Sequence, residues 1–146
     1  MKRHESLMQL SREHHDGLIA AQLLKKGAAN YKGMPSGFEG KLKYIVNFFY
    51  EHLIPHFKDE EEKLFPIIIN KETEIDKLVD ELLLEHKEIE KHIKTVEEKK
   101  HSEETLNELG MLLDNHIRKE ERQLFELIQE KFNEEELEKI KKVLLK

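Results

Sequence analysis

The chain has 146 residues and no cysteine, a formal net charge of -6, and hydrophobic and charged fractions of 38% each. That balance describes a single domain over residues 1-146 built of amphipathic helices with charged outer faces, not a disordered chain. It excludes disulfides, thiolate metal sites and cysteine nucleophiles, and the interspersed Lys and Glu offer no basic stripe to a nucleic acid.

The start, Met1 to Ser6, carries no apolar signal core, and no apolar run reaches the ~20 residues of a membrane span. A cytoplasmic protein is the expectation. Helical periodicity dominates and nothing alternates as a strand does, so the fold class is all-α. The first helix is expected from Ser6 to Ala29, with Leu7, Leu10, His14, Leu18, Ala21 and Leu24 on one stripe, broken by the Gly-rich segment 27–40. The second runs from Phe38 to Asn70 and carries His52, His56, Glu60, Leu64 and Ile67 on or beside its inner face. Pro55 should kink it just before His56, and Pro66 should loosen its last turn.

Thr73 with Asp76 reads as a variant capping box opening a third helix through Leu82, His86 and Ile93. Residues 97–104 form a charged turn that includes His101, and Ser102 is expected to cap a fourth helix through Leu109, Leu113, His116, Glu120 and Leu124. Asn133 with Glu136 caps a short fifth helix, Leu137 to Leu145, which should pack across the end of the bundle. Four long helices with short connections suit an up-down-up-down bundle.

Chemistry repeats along this frame. His56-Phe-Lys-Asp-Glu60-Glu61-Glu-Lys-Leu64-Phe65 returns 60 residues later as His116-Ile-Arg-Lys-Glu120-Glu121-Arg-Gln-Leu124-Phe125, and Leu10-Ser-Arg-Glu13-His14 returns as Leu82-Leu-Leu-Glu85-His86. Residues four apart on an α-helix differ by about 40° in direction and about 6 Å in height, so each His and its Glu form a clamp on one face. A lone His on an apolar stripe is ordinarily a hydrogen-bonded core residue. Four imidazoles and two carboxylates turned to one interior would cost several kcal/mol per unpaired charge without a cation, and a metal offsets that cost. By the same helical geometry Glu61 and Glu121 lie about 140° from their histidines and should be solvated. His4 and His101 are expected in solvent.

The phrases Leu10-Ser-Arg-Glu-His14-His15-Asp-Gly-Leu18, His56 to Pro66 and His116 to Phe125 resemble the hemerythrin family, in particular its HHE cation-binding domains. The resemblance implies a hemerythrin-like bundle with two non-haem irons bridged by carboxylates, held by about five histidines and leaving one coordination position open. By that pattern His56 and His116 are ligands from the second and fourth helices, Glu60 and Glu120 are bridges, and His86 is the ligand from the third. His14 is favoured on the first helix, with His15 kept beside it. The oxygen carriers have a further histidine four residues after the third-helix ligand, where this chain has Glu90. His52, one turn before His56, or His15 could stand in for it.

Imidazole and carboxylate donors suit iron or manganese, with Mn or Zn conceivable on purification, and the resemblance selects iron. The first functional reading is a ligand-binding metalloprotein, not an enzyme, that takes oxygen or nitric oxide for sensing, storage or protection. The alternatives are a di-iron reductase of nitric oxide or peroxide, or an iron-handling repair protein. A third is a metal-stabilised regulatory bundle acting through a protein partner. The sequence shows no docking motif for an electron donor.

Overall fold

Each long apolar-periodic segment of the sequence is helical. The structure is a computed structural model that describes residues 2–28, 33–98 and 103–145, and among these every regular element is a helix. A 3-10 turn, Glu5–Leu7, leads into α1, Met8–Leu24. The second helix, α2, occupies residues 38–68 and is interrupted by two π-helical turns, Phe49–Leu53 and Glu60–Leu64. The third, α3, is Thr73–Glu97; α4 occupies residues 103–131 with one π-turn, Glu120–Leu124; α5 is Glu134–Leu144.

The boundaries follow from local chemistry. His4 is not solvated as expected: it is half-buried, and its Nδ1 accepts from the Ser6 N–H at 3.0 Å, which caps the first turn. α1 stops at Leu24, short of the expected end, because Lys25 is extended and Gly27 takes a φ of 74° that glycine alone adopts freely. Thr73 does not cap α3; that position belongs to Glu72, whose side chain makes no capping bond. Asp76 instead accepts from the Asn70 N–H at 2.8 Å and ties down the left-handed residue that ends the α2–α3 turn. The capping box of α5 forms as expected: the Glu136 N–H donates to Asn133 and the Asn133 N–H to Glu136, at 2.8 and 3.0 Å. Ala29, His101 and Ser102 lie outside the described residues.

Both prolines of α2 sit just past a π-turn. A proline lacks an N–H and crowds the preceding turn, and a π-turn, bonding five residues back instead of four, is already wide there. The irregularity expected before His56 is thus a π-turn, in which the Ile54 N–H reaches the Phe49 carbonyl.

Two apolar cores stack along the bundle. One gathers Leu7, Leu10, Leu64, Phe65, Leu82 and Leu124, closed by Leu137, Ile140 and Leu144 of α5; the other gathers Ala21, Ile45, Leu53, Phe57, Ile89 and Leu113. Each fully buried aliphatic or aromatic side chain contributes about 1.5–3 kcal/mol. The apolar face of α5 is therefore used by the chain's own core. α4 approaches α1 so closely at Gly110 that a Cβ there would lie 2.7 Å from the Ala21 carbonyl oxygen. Between the two cores, in every one of the four long helices, the sequence places a histidine.

Candidate metal centre

His14, His56, His86 and His116 are all buried, at most 4% exposed, and Glu60 and Glu120 are fully buried. They form two clusters, His14–His56–Glu60–Glu120 and Glu60–His86–His116–Glu120, with donor atoms in each within 4.8 Å of one another. Both clusters share both carboxylates. Glu60 turns Oε2 toward His56 (3.3 Å) and Oε1 toward His86 (3.2 Å). Glu120 turns Oε2 toward His14 (2.6 Å) and Oε1 toward His116 (3.7 Å). The two imidazole pairs are near copies, with ring centroids 4.7 and 4.8 Å apart and planes inclined by 64° and 62°.

The outward nitrogens follow an equally regular rule. His56 Nδ1–H donates to Glu13 (2.7 Å), His86 to Glu61 (2.7 Å), His116 to Glu85 (2.8 Å) and His14 to Glu121 (2.6 Å). So α1 holds the histidine of α2, α2 that of α3, α3 that of α4, and α4 that of α1: a closed ring of carboxylates around the inner six residues. Each bond fixes the imidazole as its Nδ1–H tautomer and leaves the Nε2 lone pair pointing inward, the arrangement in which histidine binds metal. Glu121 is itself steadied by the Ser11 hydroxyl and by Arg3, and Glu85 by Lys119.

The π-turns make this possible. At Glu60–Leu64 the Phe65 N–H donates to the Glu60 carbonyl, and at Glu120–Leu124 the Phe125 N–H donates to that of Glu120. The extra residue in the turn lets Glu60 face the interior, Glu61 reach the next helix, and Leu64 and Phe65 both return to the core. Glu61 and Glu121 each grip an imidazole; the Glu61 side chain is solvent-exposed as expected, at 44%, whereas that of Glu121 is only 23% exposed. Glu13 and Glu85 were equally unassigned in the sequence, although each directly precedes a histidine in the repeated phrase.

The charges at the centre are finely opposed. Burial opposes charge on His14, His56 and His86, yet the surrounding carboxylates outweigh it, lifting His14 well above 6.5 and His56 to about 9. Glu60 is held well below the ordinary range, its burial outweighed by His56 and its other neighbours, while Glu120 is raised by burial and by Glu60. Among the described residues, the buried side-chain atoms without a hydrogen bond are the four Nε2 atoms and the four oxygens of Glu60 and Glu120. An unsatisfied buried polar atom costs about 1–3 kcal/mol, so eight facing one space fit cations that bind all of them. The donor set, nitrogen and oxygen without sulfur, suits iron, manganese or zinc.

The hemerythrin HHE cation-binding domain model matches residues 6–128, a span that includes every residue of both clusters. The chain belongs to that family. No curated protein and no solved structure matches it.

Of the histidines named from the sequence of this hemerythrin domain, His15 and His52 stand apart. Both are exposed and belong to neither cluster; His52 lies against Phe48, with ring centroids 5.1 Å apart. Glu90, where the oxygen carriers have a further histidine, is exposed and pairs with Lys94 at 3.5 Å. The two clusters therefore offer equal donor sets. Phe57 stacks on His86 at 3.9 Å and Phe125 on His14 at 5.4 Å, so aromatic faces close the layer from both cores. No described helix is long and apolar enough to cross a membrane.

Proposed function

We propose that this chain is a non-haem di-iron protein on an up-down-up-down four-helix bundle that takes up a small diatomic ligand, oxygen or nitric oxide. His14 and His56 would hold one iron and His86 and His116 the other, with Glu60 and Glu120 shared between them. The observation that carries this is the pair of buried clusters sharing both carboxylates, in a chain of a cation-binding family. Two imidazoles with shared carboxylates form a donor set that suits iron and would leave room for a further ligand. The irons supply redox equivalents and a binding position; the chain supplies the rest. Glu13, Glu61, Glu85 and Glu121 fix the imidazoles, and Phe57 and Phe125 exclude water, which keeps a small neutral ligand from competing with bulk solvent.

The test is anaerobic loading with ferrous iron, counting ions per chain, then exposure to nitric oxide or oxygen while recording the visible spectrum. Two irons per chain and a new ligand-dependent absorption are expected. Loading that never exceeds one ion would overturn the shared-carboxylate assignment, and a spectrum insensitive to both gases would overturn the ligand class. The regulatory alternative loses its main feature, since the apolar face of α5 already buries Leu137, Ile140 and Leu144.

A further inference from the structure

The donor atoms of the centre are sealed between two apolar cores, so an ion needs a way in. The two halves of the molecule differ at one place that bears on this. The π-turn Phe49–Leu53 in α2 has no counterpart in α4, where residues 109–113 lie within the regular α-helix Glu103–Lys119. Over that π-turn two cavities adjoin. The outer, about 450 Å³, is lined by residues including Asp16, Ile19, Tyr44, Glu51 and His52. The inner, about 160 Å³, shares Asp16, Phe48, Glu51 and His52 and continues to Glu13 and His56.

His56 makes this groove more than an acidic cluster. It is 4% exposed and lines the inner cavity beside Glu13, to which its Nδ1–H is bonded, while its unpartnered Nε2 faces Glu60 and the centre on the other side of the ring. The polar groups that line these cavities are the exposed Asp16, Glu51 and His52, shared by both, and in the inner one Glu13, which accepts from His56 Nδ1–H. The second half lacks such a series. At the same offsets before His116 stand Met111 and Leu112, the latter packed against the core, where the first half has Glu51 and His52.

We propose that the groove between α1 and α2 is the way in for the cation, with Asp16, Glu51 and His52 as relay ligands. This rests on the metal reading of His56 and its neighbours. A hydrated divalent ion sheds water readily only where other donors replace it, and an acidic cleft raises its local concentration and its rate of arrival. A neutral diatomic needs neither. The lining chemistry therefore fits a cation.

The metal-free full-length chain, mixed anaerobically with cobalt(II) in a stopped-flow instrument, reports loading through the visible absorption of the bound ion. The triple variant Asp16→Asn, Glu51→Gln, His52→Leu should load about tenfold more slowly, to the same final cobalt content. Added salt should slow the unaltered chain more than the variant. Glu88→Gln, at the offset after His86 that Asp16 has after His14, should load at the unaltered rate. All three residues are exposed, so the fold is expected to survive; circular dichroism checks this, and the single Glu51→Gln variant serves if the triple does not fold. An unchanged loading rate at equal end point would overturn the route while leaving the centre intact. So would slowed nitric oxide binding to the iron-loaded variant with unchanged cobalt loading, which would assign the groove to neutral ligands. An unaltered chain that takes up no cobalt would overturn the centre itself.

Discussion

Set side by side, α1–α2 and α3–α4 use one chemical plan twice. Glu13 holds His56 as Glu85 holds His116, and Glu60 and Glu120 each turn one oxygen to either half. They part company in their surroundings. The first half has a second π-turn and a polar groove reaching His56; the second has regular helix and Leu112 there. The donors are duplicated and the approach to them is not, which separates what an ion needs for binding from what it needs for arrival.

The equivalence is broken most severely at the shared residues. Glu120→Gln replaces one of the two oxygens shared between the clusters with a non-ligating amide nitrogen and takes the carboxylate charge from both, and is expected to cut metal content from two ions per chain to well below one, measured by metal analysis after anaerobic loading. His14→Ala and His86→Ala each touch one cluster only, so each should retain about one ion per chain. If one variant loses both ions and the other loses one, the halves are not equivalent in binding.

The outer ring sharpens the comparison further. Glu13→Gln and Glu85→Gln keep the shape but weaken the hold on His56 and His116, and each should lower metal affinity by about 10–100-fold in competition with a chelator. The effects should match within a factor of about three if the halves bind alike.

A smaller effect follows from protonation. In the metal-free chain His56 titrates at about 9 against an ordinary 6.5, so the folded state binds the extra proton. Its stabilisation is complete below about 6.5 and is lost as pH rises toward about 9. The metal-free protein should therefore melt several degrees lower at pH 9 than at pH 6 by calorimetry. Metal binding displaces the same protons, so affinity should move the opposite way and rise with pH. The smallest effect is expected at His15→Ala, which faces solvent: metal content and melting temperature should not change.

Much of this centre could be read from spacing. His-x-x-x-Glu repeated 60 residues apart puts paired donors on one helix face, and the matching Leu-x-x-Glu-His phrases supply the partners. The helical architecture and the family followed from the same residues. The outer carboxylates could not be read in this way. Glu61 lies in solvent as the helical angle implies, yet it and the less exposed Glu121 reach imidazoles on neighbouring helices, which the angle from their own histidines does not reveal. Glu13 and Glu85 act on a neighbouring helix, and one helix's periodicity carries no information about its neighbour. His14 and His15 differ by one position on a helix whose inward direction is set by packing against α4, not by local pattern. Thr73 failed as a cap because the helix starts one residue earlier, with the Asp76 N–H bonded to the Glu72 carbonyl and the Asp76 carboxylate taken by the Asn70 N–H across the turn.

The ring of outer carboxylates also bears on how a nascent chain acquires its cargo. Three of its links join residues 43, 25 and 31 apart in sequence, so neighbouring helices can make them early and at modest loop-closure cost. The fourth, Glu121 to His14, spans 107 residues and waits until the last long helix returns to the first. Until that happens His14 has no orienting partner and the bridge Glu120 is not in place. An incomplete chain emerging from synthesis thus holds at most a fragment of the donor set, and tight cation binding becomes a signal that folding has finished.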